Sequence, residues 1–167
     1  MKTKRPPLLI VLSVLSAIFI FFNIYQEMVY LTKKDYFTGS EYFDHQEEAI
    51  EKLDSSDSEE SMTIEMKKVE IEMRKLDNEN YTRNHGTFLF IFTVGLISLL
   101  LMYQLNIKGV GLYAFYSLME ISNRYFIYRE IDGFFQNYVI LNIVLSLAFI
   151  SAYYSVFYKL KKQNENA

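Results

Sequence analysis

Glu120 and Arg124 stand four residues apart inside a long apolar run, the spacing at which an acid and a base share one face of a helix in the favoured order. If that helix starts at Gly109 and crosses a bilayer, Glu120 lies roughly 17 Å in and Arg124 roughly 23 Å in, against a hydrocarbon layer of ~30 Å. An ionisable group at that depth must turn inward and find a partner. The chemistry open to it is a structural ion pair, or a site for a ligand, a proton or an ion. Gly109, Tyr113, Tyr116, Ser117 and Asn123 fall on the same face. In the first apolar run Ser13, Ser16, Ile20, Asn23 and Glu27 share an arc, which brings Glu27 level with Arg124 near one membrane boundary. The candidate intramembrane polar site is thus Glu120, Arg124, Tyr113, Tyr116, Ser117, Glu27 and Asn23.

The remaining chemical inventory is thin. There is no Cys, hence no disulfide, thiolate nucleophile or Cys metal ligand. The two His, His45 and His85, lie in the long polar stretch. Asp44, His45 and Glu48 could touch a cation from one helix, but no second pair at ligand spacing joins them. Gly-rich phosphate loops, a Gly-x-Ser-x-Gly elbow and His-Glu-x-x-His are all missing. The expectation is a non-enzyme with no cofactor and no metal.

The elements that position these residues follow from the apolar blocks. A helix needs roughly 20 mostly apolar residues to span a bilayer, and four blocks approach that: Leu8 to Tyr30, Phe88 to Leu105, Gly109 to Tyr128 and Phe134 to Tyr158. The fold class expected is an all-α integral membrane protein with four transmembrane helices. Residues 1–30 form a basic tail and the first span, 31–87 an acidic helical hairpin outside the membrane, 88–158 three further spans, and 159–167 a second tail. The first block is long for a signal-peptide core and has no small-x-small cleavage site, so it reads as a retained anchor.

Orientation follows the basic residues near the helix ends. Lys2, Lys4 and Arg5 precede the first span without an acid, and Lys108, Lys159, Lys161 and Lys162 join them on one side. Segment 31–87 carries 8 basic and 15 acidic residues, a net charge of −7. Both termini are therefore expected in the cytoplasm, and Arg129, Glu130 and Asp132 become loop charges on the outer side. Polar stripes mark helix contacts: Thr87, Gly95, Ser98 and Asn106 in the second span, and two opposed stripes in the fourth, Asn142, Ser146 and Tyr153 against Asn137, Ser151 and Ser155. The second of these stripes offers a contact to another subunit.

Within the polar segment, Tyr42, Ala49 and Leu53 recur at helical spacing, and "DSSD", Asp54 to Asp57, interrupts. Asp57 with Glu60 has the form of a capping box. Met62, Met66, Val69, Met73 and Leu76 then make an apolar seam on a charged helix that ends near "DNEN", before a loop "YTRNHG". Three of the five are Met, a side chain that adapts to irregular partners, so the seam could meet the first hairpin helix, another subunit or the membrane surface. The negative charge argues against nucleic acid or anionic lipid.

"RPPLLIVLSVLS" (Arg5 to Ser16) and "LMYQLNIKGVGLY" (Leu101 to Tyr113) together resemble a family of small uncharacterised bacterial membrane proteins of the Bacteroidetes type. That family tends to begin Arg-Pro-x-x-Leu, to end its second span Leu-Met-Trp, and to open its third with Lys-Gly and an aromatic pair. Tyr103 stands here in place of the Trp and Val110 in place of a Phe, and the likeness does not reach the hairpin. It implies the four-helix layout and an inner-membrane location, and carries over no active residues.

The function expected is a non-catalytic accessory or interaction subunit that displays the acidic hairpin outside the bacterial inner membrane. Its partners would be the lipid bilayer and either a second copy or another membrane protein. The alternative is a small oligomeric transporter or channel built on the polar face around Glu120.

Overall fold

A computed structural model describes residues 5–39, 42–46, 48, 61–131 and 138–165. Its regular structure is helical, with no strand among the described residues. The elements are α1 (Pro7–Thr32), the short α2 (Lys34–Thr38), α3 (Ser61–Asn78), α4 (Tyr81–Tyr103), α5 (Lys108–Tyr128) and α6 (Ile140–Glu165). Residues 42–46 are also helical.

Three of these helices are long and apolar enough to cross a bilayer: Pro7–Thr32, Tyr81–Tyr103 and Ile140–Lys162. Their outward faces agree with that. Ile18, Phe21, Phe22, Val144 and Leu147 are all more than half exposed, a continuous apolar surface that water would not tolerate and acyl chains would. α5 reaches 21 residues but carries Glu120 and Arg124 within its length.

Inward, the polarity is reversed. The buried side of α1 is Leu9, Ser16, Ile20, Asn23 and Glu27, the arc expected from their spacing. α4 packs on α1 and on α5, and α6 packs on both α5 and α1, so the pairs close a ring. Phe88, Ile91, Phe92, Met102, Tyr113, Tyr116 and Tyr153 fill its interior.

Small residues set the closest approach. A Cβ on Gly109 would lie 2.7 Å from the Met102 backbone nitrogen and 2.7 Å from the Ser98 carbonyl, and one on Gly95 would meet Ile20 and Tyr116 near 3.0 Å. Glycine at both positions is what lets α4 sit against its neighbours. The α4–α5 turn is a Schellman closure: Asn106 N donates to Leu101 O and Leu105 N to Met102 O, both at 2.9 Å, with Leu105 at φ 60°. Asn106 Oδ1 then accepts from Lys108 N at 3.0 Å and starts α5.

Several sequence expectations shift. The second apolar helix begins at Tyr81, not Phe88, and "YTRNHG" is its first turns and not a loop. The last helix continues past Tyr158 to Glu165. α3 ends at Asn78, as "DNEN" implied. Asp54 to Asp57, the Asp57–Glu60 capping box, Leu53, Ala49, Asn137 and Asp132 lie outside the described residues, as do the side chains of Met62 and Met66.

Candidate functional site

The inward-facing polar residues collect in two places, one at an end of the helices and one halfway along them. The end site is built by α1, α3 and α4. His85, on the first turns of α4, has Nδ1 2.6 Å from Glu27 Oε2 on α1 and Nε2 2.9 Å from Asp77 Oδ2 on α3. The first contact is a hydrogen bond, whereas the second is an ion-pair approach off the axis of a hydrogen bond. All three residues are buried. An imidazole can donate to carboxylates from both nitrogens only when both carry protons.

The surroundings fix that geometry. Asn84 Nδ2 donates to Asp77 Oδ1 at 3.0 Å. The Tyr30 and Tyr81 rings stand 4.9 and 4.2 Å from the imidazole, and Tyr81 donates its hydroxyl to Tyr30 O at 3.1 Å. Arg74 of α3 lies over the Tyr30 ring at 4.5 Å and donates through Nη2 to the Tyr30 hydroxyl at 2.9 Å. Burial works against the guanidinium charge, but the Tyr30 hydroxyl and the nearby acidic groups outweigh it and hold the Arg74 pKa above its ordinary value.

The midway site is carried by α5. Arg124 Nε donates to Glu120 Oε1 at 2.5 Å, and the Tyr138 hydroxyl donates to the same oxygen at 3.0 Å. The guanidinium also covers the Phe88 ring at 4.7 Å. Further along, Tyr153 donates to Ser16 Oγ at 3.0 Å and the Tyr113 hydroxyl lies 3.3 Å from that oxygen, which ties α6, α1 and α5 together.

Two cavities flank the Glu120–Arg124 pair. An outer one of about 160 Å³ is lined by Glu27, Tyr30, Glu70, Arg74, Asp77, His85 and Arg124. An inner one of about 190 Å³ is lined by Leu15, Ser16, Phe19, Tyr113, Tyr116, Ser117, Glu120, Asn142, Leu145, Ser146 and Phe149. Arg124 faces the first and Glu120 the second.

The structure therefore brings Glu120, Arg124, Tyr113, Tyr116 and Ser117 onto one face as their spacing required, and adds Tyr138. Glu27 shares the outer cavity with Arg124, at the level its spacing placed it, and pairs with His85. Asn23 turns back on its own helix, donating to Phe19 O at 2.8 Å, and does not line either cavity. His85, Asp77 and Arg74 were not singled out, because each sits in a stretch too polar to be read as part of the helical core.

The seam on α3 divides. Met73 and Leu76 pack against Ile121, Tyr128, Ile131 and Val139, whereas Val69 points outward. Arg129 and Glu130 are exposed, and so are Asp44, His45 and Glu48. On α6 the Asn142, Ser146 and Tyr153 stripe turns inward, while Ser151 and Ser155 are exposed. Among the described residues no three His, Cys, Asp or Glu side chains converge on a point where a metal ion could sit. A comparison with protein families, with characterised proteins and with solved structures finds no match to this chain.

Proposed function

We propose that the chain is a non-catalytic, multi-pass protein of the bacterial inner membrane. In this reading α1, α4, α5 and α6 form a four-helix transmembrane bundle, both termini lie in the cytoplasm, and the segment between α1 and α4 is offered outside the membrane to a partner protein. The observation that carries it is the clamp on α3. Asp77 is joined through His85 to Glu27, and Arg74 is locked to Tyr30, so α3 is held at a fixed attitude on the ends of the bundle with Lys68, Val69, Glu72 and Lys75 turned outward. A helix fixed in this way is a preorganised binding surface, which costs less to engage than a free arm.

Charge placement supports the orientation. Arg5 donates to Tyr103 O at 3.1 Å, so the start of α1, the end of α4 and Lys108 share one end of the bundle. Lys161 lies there too, in a cavity with Leu105 and Ile107. The end that holds Glu27 and Asp77 is the opposite one. Cross-linking from Val69 in native membranes, followed by mass spectrometry, tests the reading. It expects one dominant cross-linked protein or a homodimer, and the absence of any cross-link would sink it.

A second reading, a small transporter or channel, is favoured by one observation: the Glu120–Arg124 bond stands between the inner and outer cavities as a partition that could open. Flux into proteoliposomes that disappears on Glu120→Gln would select it.

A further inference from the structure

The inner cavity has the features of a built binding site. It lies between α1, α5 and α6, and its walls are largely aromatic and aliphatic, with Phe19, Tyr113, Tyr116 and Phe149 among them. Its volume of about 190 Å³ is close to that of an apolar cavity of about 150 Å³ that accepts a benzene ring. Polar groups interrupt these walls, among them Glu120, Tyr116 and Ser117 on α5. Oε1 of Glu120 already serves Arg124 and Tyr138, while Oε2 has no partner among the described residues. The Tyr116 and Ser117 hydroxyls make no hydrogen bond to any described residue either, although Tyr116 is only 4% exposed and Ser117 6%. None of these three atoms is sealed off from open space. Polar atoms that open onto a largely apolar cavity without a protein partner mark a place where a ligand or water completes the network.

The mouth indicates the source of the ligand. Leu15, Phe19 and Leu145 line the cavity and are each about half exposed. On α1, Leu15 and Phe19 stand roughly 12 and 18 Å from the helix start, within a hydrocarbon layer of ~30 Å. The opening therefore faces the acyl-chain layer.

We infer that this cavity binds a lipid-soluble alcohol or phenol that enters sideways from the bilayer, its hydroxyl donating to Glu120 Oε2 and accepting from the Tyr116 hydroxyl. A free cation fits less well, because the Glu120 charge is already balanced by Arg124. A hydrocarbon without a hydroxyl would leave the three polar atoms unserved. The proposal concerns binding only, so it goes beyond the interaction-subunit reading and does not depend on transport.

The test uses the full chain in lipid nanodiscs, with 4-fluorophenol and fluorobenzene as probes followed by fluorine NMR, and empty nanodiscs as the reference. Saturable one-site binding of 4-fluorophenol, competed by phenol and clearly tighter than fluorobenzene, is expected. Tyr116→Phe keeps the ring and removes one hydrogen bond, and should weaken phenol binding by about three- to tenfold with little effect on fluorobenzene. Ser146→Leu fills the cavity from α6 without touching the ion pair, and should abolish binding of both probes while leaving cross-linking at Val69 unchanged. If Ser146→Leu impairs folding, Tyr116→Phe decides alone. Three results would overturn the proposal: the same signal in empty nanodiscs, equal binding of both probes, or phenol affinity untouched by Tyr116→Phe.

Discussion

His85 and Glu27, 58 residues apart in sequence, meet at 2.6 Å with both side chains buried. Asp77 closes the other side of the ring at 2.9 Å, so one imidazole joins the first apolar helix, the first turns of α4 and the polar helix α3. Removing the centre of such a cluster leaves two carboxylates facing each other without a cation. His85→Ala should therefore destabilise the protein by about 3 to 5 kcal/mol. Pairing it with Glu27→Gln and with Asp77→Asn should return part of that loss, because each removes a stranded charge. Chemical unfolding in lipid of the singles and doubles measures the coupling, and strictly additive losses would show that the three groups do not act together.

Glu120 and Arg124 allow a parallel experiment with a different readout. Arg124→Ala leaves Glu120 with the Tyr138 hydroxyl alone, in surroundings where an unpaired carboxylate is costly. The double change Glu120→Gln, Arg124→Gln should be markedly more stable than Arg124→Ala, measured as the thermal unfolding midpoint in nanodiscs. A double variant no better than the single would mean that water already solvates the pair.

The parts of this molecule that were legible in sequence are those written in apolar periodicity. The inward arc Ser16, Ile20, Asn23 and Glu27 and the face from Gly109 to Arg124 both follow from one helical repeat. The end site was not legible, for a physical reason. Thr82, Arg83, Asn84 and His85 look like a loop because they are polar, yet they are the opening turns of α4, where Asn84 and His85 turn to the polar helix α3 and Thr82 and Arg83 stay exposed. Arg124 was an available base for Glu27 at matching depth, and depth alone cannot tell which side of a helix faces which neighbour. The nearer partner, His85, came from a stretch assigned to the outside. Asn23 shows the complementary error: it lies on the polar arc, but its amide is satisfied by the Phe19 carbonyl of its own helix.

The α4–α5 turn makes two opposite predictions. Leu105 adopts φ 60°, a conformation in which a side chain costs roughly 1 kcal/mol and glycine little. Leu105→Gly should raise stability by up to about 1 kcal/mol, offset by whatever its partly buried side chain contributes to the core. Gly109→Ala places a methyl against the backbone of Ser98 and Met102, where no side chain can move aside, and should cost about 1 to 3 kcal/mol. Thermal unfolding of the two variants checks both signs. A neutral Gly109→Ala would mean that α4 and α5 sit further apart.

The divided seam on α3 separates docking from recognition. Met73 packs with Leu76 against Ile121, Tyr128, Ile131 and Val139, while Val69, one turn earlier, is 39% exposed. Met73→Glu would bury a charge in that contact and loosen α3 from the bundle, at a cost of about 1 to 3 kcal/mol. Trypsin should then cut more readily at Lys67, Lys68 and Lys75 while α1 and α4 remain protected. Val69→Glu changes an outward position, so protease protection and unfolding should stay as in the parent chain. If the outward face of α3 meets a partner, Val69→Glu removes that partner from the purified assembly with the monomer intact, and Met73→Glu removes it only together with the loss of protection. Loss of protection in Val69→Glu would show that the whole seam is internal to the chain, and retention of the partner in both variants would place the contact elsewhere on the molecule.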